Sequence, residues 1–232
     1  MNNDPIISVI MPVFNGGDLL NKAIESILGQ TFENFEFIII NDGSTDETAE
    51  VVRGYASSDS RIIFIDQDNI GLTKSLNKAI KTSKGNYIAR IDADDVSALN
   101  RFETQMEWMK GGKYDLCCSR TYLLNSNRIS PGLSYYMPKR IQMFFRNPFI
   151  HGTFLIKRKA LDIVGLYDED FIYSQDYKLI CDFYRNNLKI KYIKQPLYYT
   201  NTPPGSIGVS KKVEQNYFAE RVKILCRSLI FR

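Results

Sequence analysis

The sequence predicts an α/β protein: a mostly parallel, doubly wound sheet flanked by helices on both faces, with a helical tail at the C-terminus. Three observations lead there. Short apolar runs, continuous rather than alternating, recur four times in the first 95 residues, and strands of that kind are buried on both faces. Segments with helical spacing separate them, the alternation that builds a parallel sheet with right-handed crossovers. Each run also stops at a polar cluster rich in Asn and Asp, and ligands of such sheets sit outside the carboxyl ends of the strands.

The elements follow in order. Residues 6–14 (IISVIMPVF) are apolar and β-branched and stop at Asn15-Gly16-Gly17, the first strand. Asp18 is placed to cap the next helix, whose Leu19, Leu20, Ala23, Ile24, Ile27 and Leu28 fall at helical spacing. Phe35 to Ile40 is the second strand. It ends at Asn41-Asp42-Gly43-Ser44-Thr45-Asp46, and a helix carrying Ala49, Val51 and Val52 starts near Thr45. Strand Ile62–Ile65, loop Asp66–Gly71 and a helix from Leu72 to Thr82 repeat the unit; Gly85 breaks that helix, and Tyr87–Ile91 is the fourth strand. Beyond residue 105 the pattern loosens. A helix continues through Met106–Met109, with Trp108 expected in the core. Strands are expected at Tyr114–Cys118, Thr121–Leu124, 151–156 and Ile190–Ile193, and helices at 157–164 and Ser174–Asn186. Pro203-Pro204-Gly205 marks a connection to a final helix from Lys211.

Composition narrows the chemistry. The chain has 232 residues, 44% hydrophobic and 24% charged, with a net charge of +4, ordinary for a globular protein and too weak for a nucleic-acid binder. The single histidine, His151, removes Ser-His nucleophiles and multi-histidine metal sites. Cys117, Cys118, Cys181 and Cys226 lack metal-ligand spacing and read as reduced thiols. The start, Met1-Asn2-Asn3-Asp4-Pro5, has no signal-peptide pattern, and no apolar run approaches the ~20 residues of a membrane span. A cytoplasmic location is therefore expected.

The acidic strand ends carry the function. Ile88-Ala89-Arg90-Ile91-Asp92-Ala93-Asp94-Asp95 sets three carboxylates at the lip of an apolar sheet, where they repel one another unless a cation joins them. Without neighbouring His or Cys, that cation is a hard one, Mg²⁺ or Mn²⁺, shared with substrate phosphates. Gly71-Leu72-Thr73-Lys74-Ser75 and Gly111-Gly112-Lys113-Tyr114 fail the P-loop pattern, and Asn15-Gly16-Gly17 is no dinucleotide fingerprint.

Together the motifs Ser8-Val9-Ile10-Met11-Pro12-Val13-Phe14-Asn15, Asn41 to Asp46, Asn69-Ile70-Gly71-Leu72 with Ser75-Leu76-Asn77, Arg90 to Asp95 and Tyr173-Ser174-Gln175-Asp176-Tyr177-Lys178-Leu179 resemble the family 2 glycosyltransferases, inverting enzymes with the Rossmann-like GT-A fold. The resemblance spans roughly residues 6–200. It implies a nucleotide-sugar-binding half at 1–110, an acceptor-binding half of the same domain at 111–200, and a connection plus basic amphipathic helix at 201–232. Pro12, Phe14, Asn15 and Asp42 are then expected to line the nucleotide pocket, with Asp66 at the base edge and Lys74 near the nucleotide-sugar. Asp92 and Asp94 form the Asp-x-Asp motif, Asp94 as metal ligand and Asp92 shared between metal and ribose, while Asp95 orients the loop. His151 lies beside the diphosphate and acceptor, or is a structural residue. Asp176 matches the catalytic base, although Gln175 replaces the glutamate that usually precedes it, and Thr200-Asn201 stand where relatives often carry Arg.

The implied reaction moves a sugar from a nucleoside-diphosphate sugar, a UDP-sugar in first expectation, to a polysaccharide or glycolipid. The rival readings are a non-catalytic sugar-nucleotide-binding module and a nucleotidyltransferase; against the latter, Asn15-Gly16-Gly17-Asp18 is acidic rather than basic. Tyr135-Tyr136 and Phe144-Phe145 are either a sugar-stacking platform or core. In the terminal helix Val213, Tyr217, Phe218, Val222, Leu225, Leu229, Ile230 and Phe231 oppose Lys211, Lys212, Arg221, Lys223, Arg227 and Arg232. Such a helix docks on its own domain, on a second subunit, or on an anionic membrane.

Overall fold

The first four strands form as their apolar runs require, in a computed structural model that describes residues 4–201 and 211–227. They are β1 (Ile7–Val13), β2 (Phe35–Asp42), β3 (Ile62–Gln67) and β4 (Tyr87–Arg90), all parallel. Helices α1 (Leu20–Leu28), α2 (Thr48–Ser58) and α3 (Leu72–Thr82) connect them. The second half adds β5 (Val96–Ser97), α4 (Arg101–Met109), β6 (Leu116–Leu123), β7 (Arg128–Ser130), α5 (Lys139–Gln142), β8 (Leu155–Lys157), α6 (Arg158–Val164), α7 (Gln175–Arg185) and β9 (Ile190–Thr200), and α8 (Lys212–Arg227) ends the described chain. The sheet runs β3-β2-β1-β4-β8-β6-β9-β5, with β7 on β6. β8 is antiparallel to both β4 and β6, and this reversal joins the two halves into one sheet.

Alternate residues of the central strands feed two cores. Ile10, Ile38 and Ile40 point toward α3, α6 and α7, where Leu76, Leu161 and Ile180 are buried. Val9, Met11, Phe37 and Ile39 point toward α1, α2 and α4, where Ile24, Val52 and Phe102 are buried. Burial on both faces is why these strands carry no polar alternation.

Several expected boundaries move. The two strands expected at 114–118 and 121–124 are the single strand β6, paired with β9 through register shifts at Ser119–Tyr122 that admit Pro196. β9 itself runs seven residues past the expected Ile193, because β6 and β5 supply partners up to Thr200. Residues His151–Thr153 form a 3₁₀ turn rather than the start of a strand. Asp18 lies inside another 3₁₀ turn, Gly17–Leu19, and makes no capping bond; Asp46, from the neighbouring loop, accepts the Gly17 N–H at 3.2 Å instead. The second helix starts at Thr48, whose N–H donates to Asp46 Oδ1 at 3.1 Å. Trp108 is 42% exposed, with Lys191 Nζ 3.2 Å from its ring centroid. The inward face of α4 is Phe102, Gln105, Met106 and Met109, and position 108 lies about 100° round the helix from Met109.

The basic helix α8 sits on its own domain. Val222 and Cys226 are buried, Phe218 packs on Phe171 at 6.0 Å, and Arg185 Nη2 donates to the Leu225 carbonyl at 2.9 Å. Pro203-Pro204-Gly205, Leu229, Ile230, Phe231 and Arg232 lie outside the described residues. Among the described residues no helix is long and apolar enough to cross a membrane.

Candidate active site

The parallel register brings the first three strand ends level: Val13 beside Asn41, and Asn41 beside Asp66. Polar side chains then lace the loops together. Asn15, in the left-handed region (φ 52°), donates its N–H to Ser44 Oγ at 2.9 Å, and its Oδ1 accepts the Thr45 N–H at 2.9 Å. Asp42 is buried and accepts three bonds, from Gln67 Nε2 (2.8 Å) and from the N–H groups of Ile70 and Gly71 (2.9 Å each). A carboxylate has roughly four acceptor sites, so these three bonds let Asp42 shape the 67–71 loop. Gly43 (φ 74°) belongs to the same construction, since a Cβ there would meet the Asn69 nitrogen at 2.6 Å. Asp66 bridges Asn41 Nδ2 and Arg53 Nη2, both at 2.7 Å. Pro12 is buried within β1, Phe14 is exposed beyond its end, and Lys74 is exposed in the first turn of α3 with no ion pair among the described residues. The strand ends and the first turn of α3 thus carry an exposed aromatic, an exposed ammonium and acidic groups anchored by the loops they hold.

The acidic loop is built on two buried arginines. Arg90, the last residue of β4, grips both carboxylate oxygens of Asp92, while its Nε has no partner. Arg101 is wholly buried beneath it, donating to the carbonyls of Arg90 (2.9 Å) and Phe154 (3.2 Å), to Ser97 Oγ (2.9 Å) and to Gln105 Oε1 (3.1 Å). Burial without a carboxylate partner lowers its pKa to about 10. The Tyr198 hydroxyl accepts the Asp92 N–H at 3.0 Å, which fixes the start of the loop.

Asp94 and Asp95 are held under electrostatic stress. Burial and then the Asp92 charge push Asp94 above the usual carboxylate range. Burial, Asp92 and Asp94 push Asp95 to about 8, although its Oδ1 accepts the Asn201 N–H at 2.8 Å. That bond gives Asp95 the loop-orienting place, with its partner in the Thr200-Asn201 segment. Among the described residues no three His, Cys, Asp or Glu side chains gather into a metal-holding set. The carboxylate oxygens of Asp92 and Asp94 are hard donors of the kind that suits Mg²⁺ or Mn²⁺, and they are too few to make a cage of protein alone.

On the other side, Asp176 opens α7 behind Ser174, which takes a left-handed φ of 55°. Its carboxylate accepts from Asn147 Nδ2 at 2.7 Å. Desolvation raises its pKa against the opposing effects of the Tyr177 N–H, Asn147 and Arg90. His151 Nε2 lies 2.6 Å from the Tyr167 hydroxyl, and burial, reinforced by Arg90, drives its pKa well below 6.5. The neighbouring Gly152 has to be glycine: a Cβ would lie 2.5 Å from the Tyr198 hydroxyl. As the sole histidine, His151 is simple to observe. Its ring proton shift is expected to show no midpoint near the usual 6.5 in an NMR titration, and a midpoint there would show a solvated, protonatable ring.

Arg90 links the two sides, because its charge acts on Asp94, Asp95, His151, Tyr167 and Asp176 alike. The sequence names Arg90 inside a motif without assigning it a role; a charged residue ending the apolar run Tyr87-Ile88-Ala89 was the available signal. Arg101, Asn147, Tyr167 and Tyr198 carry no local signal, since long-range pairing alone brings them here.

A mostly parallel sheet flanked by helices on both faces, with an acidic loop at its carboxyl edge, is the GT-A fold of glycosyltransferases. The profile of glycosyl transferase family 2 matches residues 8–177, and the chain belongs to that family. It is 32% identical over 226 residues to an uncharacterised glycosyltransferase of Methanocaldococcus jannaschii, covering 93% of this chain and 77% of that one. It is 34% identical over 191 residues to one of Rickettsia prowazekii, covering 78% of this chain but 59% of the relative. The fold matches S. aureus TarS 1–349 in complex with UDP-GlcNAc (TM-score 0.77, 19% identity, 94% of this chain and 66% of that one). It also matches the mannosyltransferase PcManGT of Pyrobaculum calidifontis in complex with GDP-Man and Mn²⁺ (TM-score 0.72, 17% identity, 88% and 59%).

Proposed function

We propose that the chain transfers a sugar, with inversion, from a nucleoside-diphosphate sugar to a saccharide or lipid-linked saccharide. The observation carrying this reading is the pairing of an acidic loop, whose Asp92 is gripped by the buried Arg90, with Asp176 at the start of α7, on which the same guanidinium acts. Asp42, Pro12, Phe14, Asn15 and Asp66 receive the base and ribose, and Lys74 and His151 flank the diphosphate. Asp94, with Asp92, is the place for Mg²⁺ or Mn²⁺, which when bound supplies charge stabilisation to the departing diphosphate.

Asp176 takes the proton of the attacking acceptor hydroxyl. The new bond joins that oxygen to the anomeric carbon as the carbon–phosphate-oxygen bond breaks, so the configuration inverts in one displacement. The raised pKa of Asp176 moves the base closer to working pH, which strengthens proton abstraction. His151, neutral and bonded to Tyr167, orients groups without exchanging protons. UDP-GlcNAc and UDP in the TarS complexes favour a UDP-sugar, and the GDP-Man complex keeps GDP in the comparison. Calorimetric titration with UDP, GDP and dTDP, each with Mn²⁺ and with EDTA, tests the donor side. One nucleotide is expected to bind, and only with metal; no binding under any condition overturns the reading.

A further inference from the structure

Residues 116–161 contain no Asp or Glu, although the chain has 26 of them, and they include Arg120, Arg128, Lys139, Arg140, Arg146, Lys157, Arg158 and Lys159. The middle of this stretch is a loop folded from its polar side. Gln142 is buried and donates to the carbonyls of Ser134 (2.7 Å) and Met137 (2.9 Å). Arg146 Nη2 donates to Ser134 Oγ at 3.0 Å and closes the loop on itself. With the polar groups turned inward, the apolar ones face out: Leu133 is 89% exposed, Phe145 70% and Tyr136 66%, with Met137 and Ile141 also exposed. The Ser134–Arg146 bond brings Leu133 and Phe145, their chain neighbours, to the same end of the loop. Lys194 lies 5.8 Å from the Tyr136 ring, and Arg140 and Arg146 are exposed along the same segment.

Soluble surfaces do not ordinarily gather large apolar side chains in this way. Aliphatic and aromatic tips set among lysines and arginines, with no carboxylate in the segment, match an anionic bilayer surface, into which the tips insert while the cations meet headgroup phosphates. We infer that residues 133–146 are a docking surface for an anionic lipid bilayer. The buried stripe of α8 is already spent on its own domain, whereas the apolar side chains exposed along 133–146 are not. The surface leads straight to the candidate site, because Asn147, one residue beyond it, holds Asp176. Docking rests on this face alone; that it presents a lipid-linked acceptor to Asp176 rests also on the transferase reading.

Co-sedimentation of the protein with phosphatidylglycerol/phosphatidylcholine vesicles and with pure phosphatidylcholine vesicles tests the inference. Binding is expected only to the anionic vesicles, weakening as salt is raised. The double variant Leu133→Glu/Phe145→Glu should lose about tenfold or more of that binding. Val213→Glu/Ile224→Glu, on the exposed face of α8, should bind as the parent does. All four positions are exposed, so melting temperatures should match the parent and separate lost docking from lost folding. Failure of the parent to bind anionic vesicles overturns the inference, as does binding that survives in the 133/145 variant. A dimer in solution that this variant dissolves, without vesicle binding, assigns the face to a second copy of the chain and likewise overturns it.

Discussion

Asp176→Asn is expected to lower turnover by about 10²–10⁴-fold, the usual contribution of a general base, while leaving affinity for the donor nucleotide unchanged. The substitution keeps the shape, and the amide still meets Asn147 through its carbonyl oxygen, so the fold should persist. In the proposed reaction, what it removes is the acceptor for the hydroxyl proton. The pH profile gives an independent check. Burial raises the Asp176 pKa, and only the ionised form is a base, so the parent enzyme should lose rate as pH falls through that raised pKa. Residual turnover of the variant should lack this acidic limb. Full turnover in Asp176→Asn would place the base elsewhere.

Asp94→Ala is expected to abolish metal-dependent nucleotide binding, a loss of about a hundredfold or more in affinity, because a metal–phosphate contact contributes several kcal/mol. Calorimetry with Mn²⁺ reads this directly. The fold should not suffer. Burial and the Asp92 charge both disfavour the Asp94 carboxylate, so deleting it removes an unfavourable charge, and the melting temperature should hold or rise. Asp92→Ala is a poorer probe. It strips the buried Arg90 of its ion-pair partner, and an uncompensated buried charge costs about 3–5 kcal/mol of stability. Unchanged Mn²⁺-dependent binding in Asp94→Ala would mean that the cation, if any, is held by other groups.

The parallel half of the sheet was legible in the sequence because its strands are buried on both faces, which forces continuous apolar runs, and its loops open on Asn and Asp. The second half was less legible for a physical reason. β6, β8 and β9 pair across long sequence separations and through bulges, so Leu155–Lys157 shows too few residues to declare a period, and Pro196 interrupts what is one strand. Candidate site positions could be named where a motif marked them, as with Asp94 and Asp176. Their control could not. Asn147 lies 29 residues from Asp176, and Tyr198 lies 106 residues from Asp92; no local pattern encodes such pairings. The exposed Trp108 shows the opposite limit, since an apolar neighbourhood in sequence spans more of a helix than the stripe that packs.

The placement of Arg90 gives the two carboxylate groups one electrostatic ground. A fixed guanidinium is the common reference charge for Asp92, Asp94, Asp95 and Asp176, so its loss, unlike that of any one carboxylate, would reach all four at once. Within the acidic loop the carboxylates also act on one another, and their titration midpoints belong to the ensemble of protonation states rather than to single residues. Free-energy changes from substitutions inside that loop should therefore fail to add, whereas Asp94→Ala and Asp176→Asn, which share only a charge that neither alters, should come closer to additivity.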